Sequence, residues 1–209
     1  AILSAKESQE FDKEQLSTRF LYERIKQPGG GSYPRDAMDV LLKIGVPPET
    51  CQPYIANQIT PECPKALELA KQNKIKAYAR LTTLEEMLQW FNQNGCFAVT
   101  VGVTKNWDNY KNRVILPDGE IKGYHEIEVT GYDDDLEQIK IKNSWSETWG
   151  DKGYGYIDYK YFMKIMTDAW DFVDVPENEE EKLLPDPTPD PIPTPTPIPE
   201  PIPVPDPTP

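Results

Sequence analysis

The sequence predicts an α+β protein, with helices concentrated in its first half and an antiparallel sheet in its second. Two windows place apolar residues at helical spacing: Ala37, Val40, Leu41 and Ile44, then Leu84, Met87, Leu88 and Phe91. A strongly β-prone run comes next, from Phe97 to residue 103. Residues 123–157 then read as two strands joined by the acidic turn Asp133, Asp134 and Asp135, since Asp tolerates turn backbone and can bond it locally.

In chain order, residues 1–15 read as a helix with Ile2 and Ala5 on its apolar side. Ser17 can cap a second helix through Ile25, its hydroxyl accepting an otherwise unpaired N–H. Residues 27–32 are a Gly-rich loop. The next helix spans 34–44 and stops at Gly45. Residues 46–64 hold five prolines and form an extended loop, succeeded by a short helix over 65–73. Residues 75–81 alternate like a strand, and residues 83–94 form a helix that Gly95 ends. Residues 159–166 form the last element.

Folding the hairpin about Asp134 pairs Val129 with Ile139, Ile127 with Ile141, and His125 with Asn143. On the opposite face Glu128 meets Lys140 and Glu126 meets Lys142. Side chains alternate faces along a strand, so one register gathers the apolar set and leaves His125 and Asn143 at its far end.

The tail differs in kind. Pro is every second residue from Pro185 to Pro209, which removes the N–H donors that a helix or central strand needs. This stretch is expected to be disordered or a polyproline II rod of roughly 75–80 Å at about 3.1 Å per residue, a spacer towards a further domain or a surface. The division expected is 1–175 as the folded domain and 176–209 as an acidic, Pro-rich tail. More than half of the net charge of −13 belongs to that tail. The body carries no basic patch and no phosphate-binding Gly loop, which argues against nucleic acid as a partner. It has no apolar run of transmembrane length, so membrane insertion is not expected.

His125 is the only histidine. A neighbouring Asn143 amide oxygen would accept from one ring nitrogen, fix the tautomer and leave the other nitrogen to handle a proton. Taken alone, this pair reads better as a core His beside a turn Asn. The run that begins at the Asn is more specific. Asn143-Ser144-Trp145-Ser146-Glu147-Thr148-Trp149-Gly150, then Gly153-Tyr154-Gly155-Tyr156-Ile157, resembles NSWGxxWGxxGYxxI, the signature of the papain family of cysteine peptidases. Leu16-Ser17-Thr18-Arg19-Phe20-Leu21-Tyr22 is similar to that family's LSEQFLY segment. Gly30-Gly31, Gly45-Val46-Pro47-Pro48-Glu49 and Gln52-Pro53-Tyr54 fall in family order, so the resemblance covers about residues 1–170.

The resemblance implies a two-lobe fold, a helical lobe and an antiparallel β lobe, with the site in the cleft between them. It implies His125 as base, Asn143 as its orienter and Trp145 as a shield over their bond, acting on a peptide or protein substrate without cofactor or metal. The family's nucleophilic Cys opens the helix that is already under way at Ala1, so the nucleophile is expected upstream, in a region absent from this N-terminally incomplete sequence. The oxyanion-hole Gln that precedes it has no counterpart here either. Cys51 and Cys63 sit in proline-rich loops and can pair in an oxidising compartment, while Cys96 opens a buried strand. No cysteine begins a helix, where free N–H groups would stabilise a thiolate. Ser146 departs from the family's Gly, and Glu126 and Glu128 from its small residues. Cross-strand charge pairing is the preferred reading of Glu126; facing the cleft instead, it would favour a basic substrate side chain. The expected function is part of a papain-like endopeptidase, at an extracytoplasmic or cell-surface location. The competing reading is an inactive papain-like domain that binds peptide or protein and is tethered by the proline rod.

Overall fold

A computed structural model describes residues 15–174, apart from 109, 112, 113 and 118. The expected helix over 1–15 and the proline tail therefore lie outside the described residues, save Gln15 itself. The described elements are α1 (Thr18–Ile25), α2 (Pro34–Lys43), a 3-10 turn (Glu49–Cys51), α3 (Ala66–Ala70), β1 (Ile75–Arg80), α4 (Leu84–Asn94), β2 (Phe97–Val103), α5 (Lys105–Asp108), β3 (Gly123–Asp133), β4 (Gln138–Lys142), β5 (Tyr154–Asp158), α6 (Tyr159–Ile165) and β6 (Met166–Asp174). The six strands form one sheet in the order β1-β6-β2-β3-β4-β5, every neighbour antiparallel.

Local chemistry sets the helix ends. Ser17 caps α1 by accepting from the Phe20 N–H at 3.0 Å, and its hydroxyl donates to the Gln52 carbonyl at 2.6 Å. Thr83 and Glu86 form a reciprocal capping box at the start of α4. Gly45 ends the α2 segment at φ +84°, where an added Cβ would meet the Ala70 carbonyl.

Two apolar clusters lie on the two faces of the sheet. One, on the helical lobe's side, joins Phe20, Met38, Leu41 and Val46 to Ile75, Ala98 and Phe172. The other joins Val99, Val101, Ile127, Val129, Ile139 and Ile141 to Met87, Trp107, Trp149 and Phe162.

Two sequence expectations need correction. The chain does not end its ordered elements near Met166, because β6 comes after it and sits inside the sheet between β1 and β2. Its polar residues hid it: Asp168 and Asp171 interrupt the alternation. Both are satisfied by partners from distant chain, Asp168 by Arg80 and Asp171 by the Trp90 indole.

The hairpin register is also different. Asp133 pairs with Gln138, so the turn is longer than one centred on Asp134. Glu128 then stands opposite Lys142 and Val129 opposite Ile141, with an irregularity at Thr130 between the two halves of the ladder. The ladder next to the turn runs in a register that would put Val129 against a lysine. One unpaired residue restores the apolar pairing by shifting the register one step. The net slip from the expected register is an even number of residues, so the faces sort as expected although the partners do not. Glu126 lies opposite Thr100 of β2 rather than Lys142, and Lys140 sits over the Tyr154 ring.

Cys51 and Cys63 are joined by a disulfide across a separation of 12 residues, which pins the proline-rich loop under α1. Closing such a loop restricts the unfolded chain by about 3 kcal/mol in the chain-entropy account. The double variant Cys51→Ser/Cys63→Ser is expected to lose about that much stability in denaturant titration. A loss below about 0.5 kcal/mol would show that the loop is held by other contacts.

Candidate active site

β3 and the segment after β4 build the site. His125 lies near the start of β3, paired with Val101 of β2, and is half-buried. Asn143 comes directly after the last residue of β4 and is 7% exposed. Its backbone N–H donates to the Gly153 carbonyl at 2.8 Å, which fixes the residue at the end of β4. The observed register makes His125 and Asn143 diagonal neighbours on one face rather than directly opposite partners. Diagonal neighbours are within reach of long side chains. The His125 Nε2 and Asn143 Oδ1 are 2.8 Å apart.

A second bond fixes the amide orientation. The Ser144 backbone N–H donates to the same Asn143 Oδ1 at 2.7 Å. An N–H can only donate, so the atom between Ser144 and the imidazole must be the amide oxygen. His125 therefore donates from Nε2, and the neutral ring carries its lone pair on Nδ1.

Trp145 lies against this pair. Its ring stacks on His125 with centroids 4.9 Å apart and planes 29° from parallel, and it is 37% exposed. Trp145 also packs edge-on against Trp107 and Trp149. These two stack on each other, and the Trp149 indole N–H donates to the Trp107 carbonyl at 2.7 Å. Trp107 is fully buried. It is a support that the sequence reading missed: it comes long before the Asn-Ser-Trp run, and no local periodicity connects the two.

Backbone geometry explains the glycines of the run and the cost of losing one. Gly150 has φ +57°, and a Cβ there would collide with the Tyr154 carbonyl and the Tyr110 ring. Ser146 adopts φ +92° without being glycine. Its hydroxyl offsets part of that strain through Thr148, 2.7 Å from its Oγ1 and 3.3 Å from its N–H.

His125 and Asn143 line a groove of about 620 Å³ between the sheet and the helical layer. Glu126 and Glu128 line it too, and so do Leu16, Met38 and Phe172. The carboxyl of Glu126 is pushed up to about 7, chiefly by the protein around it and further by the charge of Asp168, against a lowering bond from Thr100. Glu126 as a residue keeps exposure at the groove surface.

No disulfide-free cysteine stands near His125 among the described residues. Cys96 precedes Phe97, at the far end of β2 from Val101, the partner of His125. That is roughly 16 Å along an extended strand. The described residues hold no group of His, Cys, Asp and Glu suited to a metal.

Ser146→Gly should raise stability by about 0.5–1 kcal/mol through relief of the left-handed backbone, measured by urea unfolding. A loss instead would mean that the Thr148 bonds outweigh the strain. For Glu126 the folded pKa is raised above the ordinary carboxylate value. The folded state then holds this proton more tightly than the unfolded chain. Stability from this group is full below about pH 4.5 and falls as pH rises towards 7. The stability gap between Glu126→Gln and the natural protein should move in the variant's favour across that window, and a pH-independent gap would contradict it.

Known proteins resemble this chain in sequence and in fold. A family model described as papain family cysteine protease matches residues 13–170. Peptidase 1 of Dermatophagoides farinae is 27% identical over 150 residues, covering 68% of this chain and 46% of that protein. Cysteine proteinase B of Leishmania mexicana is 29% identical over 110 residues, covering 51% of this chain and 25% of its own length. The chain thus spans less than half of these relatives. Among solved structures, xylellain, a cysteine protease from Xylella fastidiosa, superposes with a TM-score of 0.72 at 22% identity, covering 83% of this chain and 76% of that one. Bromelain from Ananas comosus does so with a TM-score of 0.65 at 21% identity, covering 81% and 83%. The fold is the papain-like one, with a helical lobe and an antiparallel sheet, and the chain belongs to the papain family of cysteine proteases.

Proposed function

We propose that this chain carries the base and its orienter for a cysteine-type endopeptidase that hydrolyses peptide bonds. The observation behind this reading is the 2.8 Å bond from His125 Nε2 to Asn143 Oδ1 beneath the Trp145 ring. Asn143 holds the tautomer, Trp145 keeps water from competing for that bond, and Nδ1 is the proton-transfer atom. The nucleophile is a cysteine thiolate supplied by chain preceding Ala1. Nδ1 first takes the proton of the cysteine thiol, and the resulting thiolate attacks the peptide carbonyl carbon. The Nδ1 proton passes to the leaving amine as the C–N bond breaks, leaving a thioester. Nδ1 then takes a proton from water, whose oxygen attacks the acyl carbon and frees the thiolate. The bonded Cys51–Cys63 pair supports an oxidising, extracytoplasmic or cell-surface setting. The proline tail serves as a spacer to a further domain or surface. Among the described residues no helix is long and apolar enough to cross a membrane.

Two of the similar structures were solved with the inhibitor E-64 bound. The test is the rate at which E-64 labels the full native protein that contains this chain. Labelling should occur on a single cysteine outside this sequence. His125→Ala should slow it about 10²-fold or more, and Asn143→Ala about tenfold. Absent labelling, or labelling indifferent to His125, would favour the inactive peptide-binding reading.

A further inference from the structure

The two outer strands of the sheet are finished differently. Over β5 the chain closes back on itself: the Ile115 N–H donates to the Tyr156 carbonyl at 2.7 Å, and Asp151 and Tyr154 exchange backbone bonds at 2.9 and 3.0 Å. At the opposite end β1 is the outer strand, and no described backbone group bonds to its far side. The Leu81 N–H donates to the Ala169 carbonyl at 2.9 Å, which sets the phase of the β1–β6 ladder. Ala77 and Ala79 share that phase and turn their backbone groups to Val173 and Asp171. Tyr78 and Arg80 therefore present their N–H and C=O groups outward.

Charge is uneven around that edge. The chain carries a net charge of −13, yet residues 69–84 hold Lys71, Lys74, Lys76 and Arg80 and no acid. No described carboxylate lies within ion-pair distance of the three lysine ammonium groups. The turn that leads into β1 is fixed: the Asn73 side-chain amide donates to the Val46 carbonyl at 2.9 Å, and the Val46 N–H donates to the Asn73 carbonyl at 3.3 Å. The described acids of the neighbouring β6 are already engaged. Asp168 accepts from Arg80 Nε and from the Trp170 indole, both at 2.6 Å, and buried Asp171 accepts from the Trp90 indole.

A bare strand edge is a template for pairing with another extended chain. Lysines along it repel a second copy of the same edge, which leaves a chain of opposite charge as the match. Ala77 and Ala79 put no bulk in the way of an incoming strand, and exposed Val173 beside Ala77 gives it an apolar neighbour.

We infer that the open edge of β1 is a docking site for an extended acidic segment of a partner protein. The segment adds to the sheet as a further strand through the backbone of Tyr78 and Arg80, and its carboxylates meet Lys71, Lys74, Lys76 and Arg80. This inference does not depend on the peptidase reading.

The test titrates the full native protein with three blocked peptides, TEVEVET, TKVKVKT and TEPEPET, with binding and amide exchange both read by NMR. TEVEVET should bind at least about tenfold more tightly than TKVKVKT, which reverses the charge, and than TEPEPET, which keeps the charge but lacks the N–H donors of a ladder. Exchange of the Tyr78 and Arg80 N–H groups should slow at least about tenfold when TEVEVET is bound. Lys74→Glu/Lys76→Glu should weaken TEVEVET about tenfold or more, with thermal melting showing that the variant folds. Lys160→Glu/Lys164→Glu, an equal charge change on α6, should leave its affinity unchanged. TEPEPET binding as tightly as TEVEVET would leave only a charged surface. TKVKVKT binding equally, or none of the three binding, would leave lysines that merely guard the edge. Each of these results overturns the inference, as does unchanged exchange at Tyr78 and Arg80 or unchanged binding in Lys74→Glu/Lys76→Glu.

Discussion

The site depends on the register of β3 against β4. Glu128 opposite Lys142 places Asn143 one step beyond the ladder, on the face that carries Ile127, Val129 and His125. A slip of one residue would turn Asn143 to the other face, away from His125. The unpaired Thr130 is what makes the register compatible with the turn. It absorbs the odd residue between the pairing set by Asp133–Gln138 and the pairing that buries Val129 against Ile141. Burial of Ile127, Val129, Ile139 and Ile141 therefore does more than stabilise the sheet. It selects the one pairing in which an imidazole and a carboxamide share a proton.

Around that pair the protein uses two kinds of support. Hydrogen bonds hold the carboxamide: Ser144 donates to its oxygen, and Gly153 accepts from its backbone. Aromatic packing holds the imidazole. Trp145 stacks on His125 and is itself backed by Trp107 and Trp149, which are tied by an indole-to-carbonyl bond. The glycines of the 143–157 run allow this closeness. Gly155 shows the reason plainly, since a Cβ there would sit 2.9 Å from the Trp149 ring.

Much of this was legible from residues alone. The alternation of Ile127, Val129, Ile139 and Ile141 gave the faces, and the resemblance of the Asn-Ser-Trp run to the papain family signature singled out Asn143 and His125. Ser17 and the Gly45 and Gly95 stops marked helix ends, because capping chemistry is local. The features that stayed hidden depend on distant chain. β6 hid behind aspartates whose partners, Arg80 and Trp90, lie some eighty residues away. The register itself could not be read, because the turn length and the Thr130 irregularity leave the alternation of faces unchanged at both ends. The pairing of Glu126 was misread for that reason, and its true neighbour Thr100 belongs to another strand altogether.

The most direct test of the central bond is the tautomer of His125, read by nitrogen-15 NMR at a pH where the ring is neutral. As the only histidine of the chain it needs no assignment by mutagenesis when this chain is labelled as a segment. The geometry requires the proton on Nε2, with Nδ1 unprotonated, and requires Asn143→Ala to turn that single form into a mixture of tautomers. A ring protonated on Nδ1, or one unchanged by the loss of Asn143, would contradict the account.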